Sequence, residues 1–389
     1  MDYAALARQN EEYIVKLRRH FHQNPELSLE EFQTTEDIAN ALTELGIPVT
    51  RYEDHTGLIA TITGGKPGRC VLLRADIDAL PIKENTGLPF SSKNDNMHAC
   101  GHDCHIAMLL GAAKILQETR EELSGTVRLL FQSAEEISLG ARHAIAEGCL
   151  EGVDAVFGMH IWSLLDAPLI SIESGPRMAA CENFDIIIHG KAAHGSSPHL
   201  GCDAVVAAAA GIMQLQGYVA RRNNASNPLV VSIGTVNGGE RRNILADTVT
   251  LTGTARCFDN DLLAKLHEDV LALFSAAAAP YGCTAEWRHL PSCERAVVNR
   301  SDDLVSLCRD SVRKLYGEEA LAKFPAIMAS EDFARYDEFV PSLFGFVGAG
   351  NAEADAIHPH HNEKFCIDES VLHRGAALYA QFAADFLNQ

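Results

Sequence analysis

A chain of 389 residues exceeds what one hydrophobic core usually organises, so two domains are expected. Hydrophobic residues at 47% and charged residues at 22% exclude a disordered chain. A formal charge of -20, with basic pairs only isolated (Arg18-Arg19, Arg221-Arg222, Arg241-Arg242), excludes the clustered Lys and Arg of a nucleic-acid-binding surface.

Residues 1–30 are too charged for a secretory leader, and no apolar run approaches the roughly 20 residues that span a bilayer, so no membrane partner is expected. Eleven scattered cysteines suit reduced thiols better than a disulfide frame and predict a cytoplasmic protein.

In chain order, the first expected element is a helix from about Ala4 to His22, where Leu6, Tyr13, Ile14, Leu17 and Phe21 recur at helical spacing. A second runs from about Thr34 to Leu45, stopped by Gly46 and Pro48. Short apolar runs then alternate with helical patterns: "LIATIT", "CVLLRADID", a helix opened by "NMHACGHDCHIAMLLGAAKIL", "TVRLLFQSAEE", a helix near Ala141 to Glu147, and "AVFGMHIW". That alternation predicts an α/β sheet with largely parallel strands.

The rhythm changes in the middle. "ENFDIIIHGKAAHG" reads as a strand, "CDAVVAAAAGIMQLQGYVA" as a helix, "PLVVSIGTVNGG" and "TVTLTGTARCF" as strands, "NDLLAKLHEDVLALFSAAAA" as a helix and "CTAEWRHL" as a strand. The order βαββαβ is that of a ferredoxin-like unit, here inserted. Beyond about Pro291 the α/β pattern resumes with a helix at Asp302–Tyr316, the strand "SLFGFVG" and a helix from about Asp368. The expected domains are therefore 1–178 with 292–389, and an inserted 179–291.

The unusual polar residues fall after apolar strands, where open α/β sheets gather functional groups. Asp76 and Asp78 follow "CVLL", Glu135 and Glu136 follow "VRLLFQ", His160 follows "AVFG", and His358, His360 and His361 follow "SLFGFVGAG". Each alone has a plain explanation: a buried polar histidine, first-turn charges, a solvated loop. Their joint placement on one rim favours a metal.

Within the Cys-rich stretch, Cys100 and His102 flank Gly101, so thiolate and imidazole can point at one place. A structural zinc needs a second Cys or His pair at matching distance, and none is present. A redox Cys-x-x-Cys is absent, because three residues separate Cys100 from Cys104. The Glu135-Glu136 pair adds what hydrolysis requires: one carboxylate binds metal while its neighbour takes a proton from the attacking water and returns it to a leaving amine.

The segments "LRRHFHQNPELSLEE", "LLRADIDALPI", "MHACGHDCHIAMLLGAA", "LLFQSAEE", "GMHIW", "GKAAHGSSPH", "GTVNGGERRNILADTVTLTGTAR", "SEDFARY" and "HNEKFCIDE" run in order over nearly the whole chain. Together they resemble the M20 family of metallopeptidases, in its amidohydrolase branch of hippurate hydrolases, N-acyl-amino-acid deacylases and auxin-conjugate hydrolases. The resemblance implies a phosphorylase/hydrolase-like catalytic domain with a ferredoxin-like lid and dimerisation domain, and two divalent metal ions per subunit, Zn or Mn, with Co or Ni accepted. Carried onto matching positions, it implies Cys100, His102, Glu136, His160 and His361 as ligands and Glu135 as general base. His361 is preferred to His360 because "HNEKF" aligns with the family's His-x-Pro-x-Phe/Tyr pattern.

Asp76, Asp78 and Asp103 are expected to orient ligands by hydrogen bonding. His194 resembles the lid histidine that stabilises the oxyanion, often across a dimer; Asn243 and Arg256 resemble positions that hold a substrate carboxylate. The expected substrate is an N-acyl amino acid and the expected assembly a homodimer through the lid. Alternatives are a dipeptidase or aminopeptidase using the same centre, or a metal- and amino-acid-binding protein without activity, which would not need an uncoordinated base beside Glu136.

Overall fold

The computed structural model describes residues 1–290 and 295–389; the domain boundary expected near 292 lies outside them. The chain forms two compact units: Met1–Arg177, Val298–Pro325 and Asp332–Gln389 make the first, Met178–Val297 and Ala326–Glu331 the second. Residues 326–331, assigned above to the catalytic domain, therefore go with the other unit. Long-range backbone pairing decides this, since the Ala179 N–H donates to the carbonyls of Ile327 and Ala329.

The strands in chain order are β1 (Val49–Arg51), β2 (Leu58–Thr63), β3 (Lys66–Asp76), β4 (Ser124–Gln132), β5 (Ala155–Asp166), β6 (Ile170–Ser171), β7 (Gly175–Met178), β8 (Ala180–His189), β9 (Leu229–Gly238), β10 (Thr248–Cys257), β11 (Thr284–Leu290), β12 (Val297–Asn299) and β13 (Ser342–Gly350). The helices are α1 (Tyr3–Gln9), α2 (Glu11–Gln23), α3 (Phe32–Glu44), α4 (His102–Glu118), α5 (Gly140–Ala146), α6 (Ala204–Arg221), α7 (Asn260–Ala278), α8 (Asp302–Tyr316) and α9 (Leu372–Leu387). None among the described residues is long and apolar enough to cross a membrane.

The first unit is built on a seven-stranded sheet in the order β1-β2-β4-β3-β5-β13-β6. Its four central strands are parallel; β1, β2 and β6 pair antiparallel at the edges, so the sheet is mixed. β13 is buried over eight consecutive residues, as a strand covered on both faces should be. Helix α4 is buried nearly all round and packs against α9 and α2, which explains its apolar run from Ile106 to Ala113.

The single helix expected over Ala4–His22 is two helices in the structure. Asn10 ends α1 and begins α2, and its side-chain amide donates back to the Leu6 carbonyl at 2.9 Å. Asparagine's competition for local backbone groups breaks a pattern whose apolar spacing alone reads as continuous.

The second unit is β8-α6-β9-β10-α7-β11, with sheet order β11-β8-β10-β9 and antiparallel pairing throughout. This is the ferredoxin-like arrangement. Asp203 caps α6 and Asp259 caps α7, each accepting two backbone N–H bonds of the first turn.

Candidate metal centre

Gly101 is the N-cap of α4 with φ of 88°, a left-handed conformation, and a Cβ there would lie 2.6 Å from Ile161 Cγ2. Only glycine satisfies both demands. The sharp turn leaves Cys100 just ahead of the helix and His102 at its first position. Cys100, His102 and His160 each offer a ligand atom within 4.8 Å of the others, and so do Cys100, Glu136 and His361. Cys100 is thus common to two adjoining triads, and His102, Glu135 and Glu136 form a third group of the same size.

Hydrogen bonds set which atom of each ligand faces inward. His102 Nδ1 donates to the Asp78 carbonyl at 2.9 Å and lies 3.2 Å from its carboxylate, leaving Nε2 for the centre. His160 Nδ1 donates to the Ile161 carbonyl at 2.6 Å, which turns Nε2 to within 3.5 Å of Cys100 Sγ. His361 Nε2 lies 3.6 Å from Glu136 Oε2, and the His361 N–H donates to the Ala99 carbonyl. The outward Nδ1 bonds of His102 and His160 fix tautomer and ring direction, as such bonds do in metal-binding histidines.

Two atoms reveal what the centre lacks from protein. His102 Nε2 and Glu136 Oε1 are buried, have no hydrogen-bond partner, and stand 4.0 Å apart. Buried polar atoms are otherwise almost always satisfied, so a cation between them fits. The field agrees. Burial works against charge on His102, yet Asp76 and Asp78 push its pKa up to about 10; the pocket favours a positive charge at that nitrogen. Burial, reinforced by the neighbouring histidines His105 and His360, keeps His160 far below the usual range, hence neutral and ready to ligate. Burial holds Glu136 up at about 7 despite His102, a carboxylate short of positive charge.

Glu135, which shares a group with His102 and Glu136, also has its Oε1 accept the Asp332 N–H at 3.3 Å. Thiolate, imidazole and carboxylate donors with a second carboxylate alongside are the chemistry of a hydrolytic metal site.

The family model described as peptidase family M20/M25/M40 matches residues 72–385. Thermostable carboxypeptidase 1 of Saccharolobus solfataricus is 37% identical over 98% of this chain and 97% of the relative. The chain belongs to the M20/M25/M40 peptidase family. It is a hydrolase acting on amide or peptide C–N bonds. N-acetyl-L-cysteine deacetylase of Bacillus subtilis is 39% identical over 93% of the chain and 85% of the relative. Among solved structures, the YxeP protein of Bacillus subtilis, described as a dinuclear metal-binding peptidase from the M20 family, superposes with a TM-score of 0.86 at 34% identity, covering 98% of this chain and 99% of that one.

The remaining expected site residues of this M20 hydrolase divide. Asp78 lies against His102, as above. Asp76 is 3.7 Å from His102 Nε2, but its direct bonds run to His105 Nδ1 and to Arg74 Nη1 at 2.7 Å. Asp103 was expected to orient a ligand; it instead pairs with Arg18 Nε at 2.9 Å and His22 Nδ1 at 2.8 Å and ties α4 to α2. Its place in the first turn of α4 turns it away from His102.

His194, Asn243 and Arg256 all belong to the second unit. Two loops pair there: the Gly195 N–H donates to the Asn243 carbonyl at 2.8 Å, and His194 bridges to Ile244. The Ser196 N–H points at His194 Nδ1, making that nitrogen an acceptor and leaving the ring proton on Nε2. Arg256 spends Nη1 on the Met328 carbonyl and the Ser330 hydroxyl, at 3.1 and 2.8 Å.

The sequence reading leaves His105 inside the helical stretch without a role of its own. Its Nδ1 meets Asp76 while its Nε2 accepts the Ile161 N–H at 2.9 Å, joining α4 to β3 and β5 beneath the centre. The three-residue step from His102 to His105, which puts both on one helix face, was the available signal.

Proposed function

We propose that this hydrolase cleaves the amide bond joining an acyl group to the nitrogen of an amino acid with a free carboxylate. The observation that carries the reading is the pairing of Glu135 with Glu136: Glu136 groups with Cys100 and His361, and Glu135, close enough to His102 and Glu136 to share a group with them, also accepts the Asp332 N–H. Cys100, His102, Glu136, His160 and His361 would hold two divalent ions, Zn or Mn fitting a mixed thiolate, imidazole and carboxylate set. When bound, these ions polarise the scissile carbonyl and acidify the attacking water.

Glu135 accepts a proton from the water as its oxygen bonds to the acyl carbon. The same carboxyl returns that proton to the nitrogen as the C–N bond breaks, releasing a carboxylic acid and an amino acid. His194 supplies the Nε2–H that stabilises the oxyanion. Asn243 and Arg256 are the candidates for the substrate carboxylate, a role the global charge of -20 makes local donors necessary for.

The relatives support this substrate class from two sides. A carboxypeptidase and an N-acetyl-L-cysteine deacetylase both release an amino acid from an acyl group, and they differ in what that group is. A homodimer through the second unit is supported by exposed Val205, Val206 and Met213 on α6 and by edge strand β9 with exposed Val230 and Val236.

The test is turnover of N-acetyl, N-benzoyl and longer N-acyl amino acids beside dipeptides after reconstitution with each metal. Acyl substrates are expected to dominate; a strict requirement for a free α-amine would overturn the reading in favour of a dipeptidase. Glu135→Gln should lose about 10²–10⁴ in kcat at full metal occupancy.

A further inference from the structure

The segment Glu26–Glu31, from "NPELSLEE", contributes nothing to the reaction as described, yet its polar side chains reach the site's backbone. Ser28 Oγ donates to Asp78 Oδ2 at 2.6 Å, the same oxygen that accepts the Glu136 N–H at 2.9 Å. Glu31 is fully buried, and its Oε1 accepts the Ala134 N–H at 2.9 Å while Oε2 accepts the Thr56 hydroxyl.

Two features make the Glu31 bond unusual. Glu31 occupies the N-cap position of α3, where an acidic side chain ordinarily serves its own helix, but it makes no capping bond. Glu26 does that work instead, accepting the N–H groups of Gln33 and Thr34 at 3.2 and 2.7 Å. The Glu31 carboxylate is thereby diverted to a backbone group 103 positions away. The residue at the other end is Ala134, with φ of 56°, and the segment that delivers Glu31 contains Leu29, with φ of 66°. Both are left-handed conformations that side chains with a Cβ rarely adopt, persisting where surrounding contacts over-determine them.

Burial, and then the charge of Asp78, push the Glu31 carboxyl up to about 7. A buried acid beside another carboxylate is unfavourable unless its acceptor oxygens are used, and here both are.

We propose that Glu31 is a positioning residue for the hydrolysis: it clamps the left-handed Ala134 and so sets the direction in which Glu135 leaves the turn after β4, with Thr56 fixing the clamp from behind. Asp78 holds the same turn at Glu136, so Glu135 is aimed by bonds on both sides of it. This rests on Glu135 being the base.

The experiment compares Glu31→Ala, Glu31→Gln, Thr56→Val and Glu135→Gln in the metal-loaded full chain, reading kcat, KM, metal content and thermal midpoint. Glu31→Ala should lose about 10–100-fold in kcat with KM and metal content unchanged. Glu31→Gln, which keeps an acceptor for Ala134 and a donor for Thr56, should recover to within about threefold of the parent. Thr56→Val should lose a few-fold in kcat, and it decides the matter if Glu31→Ala does not fold. Unchanged kcat in Glu31→Ala, or in Thr56→Val where it must stand in, would overturn the proposal; so would a kcat loss that only follows falling metal content. An active Glu135→Gln would instead overturn the base assignment, whereas an inactive Glu135→Gln beside a fully active Glu31→Ala would overturn the positioning role alone.

Discussion

In the first unit, His102 and His160 each have Nδ1 committed to a backbone carbonyl, and both rings are buried. In the second, His194 and Asn243 stand exposed on two loops joined by a backbone bond and a bridge. The difference fits the role proposed for each set. Charged and imidazole groups brought out of water need partners for every remaining polar atom, so a buried ligand set comes with its supporting bonds. An oxyanion donor or carboxylate grip acts on a substrate that arrives from solvent and can be carried by loops. Substitutions in the first unit should therefore remove the metal along with the activity, and those in the second should spare the metal.

The largest expected effect tests the first half of that contrast. Cys100→Ala removes the donor common to both triads, and dialysed protein should lose metal and essentially all turnover together. Elemental analysis beside an amide-hydrolysis assay checks this; a variant that keeps both ions would remove Cys100 from the ligand set. Asp78→Asn, which disturbs the bond behind His102, should weaken metal affinity by about 10–100-fold and leave activity recoverable at saturating metal.

The second half is tested by His194→Ala. Loss of one oxyanion donor should lower kcat by about 10²–10³ with metal content and thermal midpoint unchanged. If the variant loses metal, the division between a buried ligand set and an exposed donor is wrong.

How much was legible in the sequence follows the same division between local and distant causes. Helix α8 is read to the residue, because Ser301 caps it and Gly317 ends it within the local pattern. The ferredoxin-like order is equally local, being a run of alternating and helical periods. The convergence of Cys100 and His102 was legible because one glycine separates them. The break at Asn10 was not, since a side-chain bond to Leu6 decides it against the apolar spacing. Nor was the transfer of 326–331 to the second unit, or the role of Glu31, because each rests on backbone groups far off in the chain. Asp103 shows the limit most plainly. It sits one residue from His102, and proximity suggested a shared task, but its partners Arg18 and His22 come from α2.

Asp103 therefore offers the last and, for turnover, smallest test, because it is a buried charge of the first unit that serves scaffold rather than site. Burial would raise its pKa, yet the guanidinium of Arg18 and then His22 hold it far below the usual carboxylate range. A folded pKa below the unfolded value of about 3.9 means the pairing stabilises the fold fully above that pH. The contribution fades as pH falls through 4 toward the folded value. Asp103→Asn leaves the buried Arg18 with Glu369 at 3.2 Å as its remaining carboxylate, so the loss should be about 3 kcal/mol at pH 7. Urea unfolding of the metal-free parent and variant at pH 7 and pH 2 measures the difference, which should be large at the first pH and clearly smaller at the second. Metal content and kcat of the folded variant should stay within a few-fold of the parent. A stability gap that persists at low pH would mean that Asp103 acts through packing rather than charge, and loss of metal would return it to the centre.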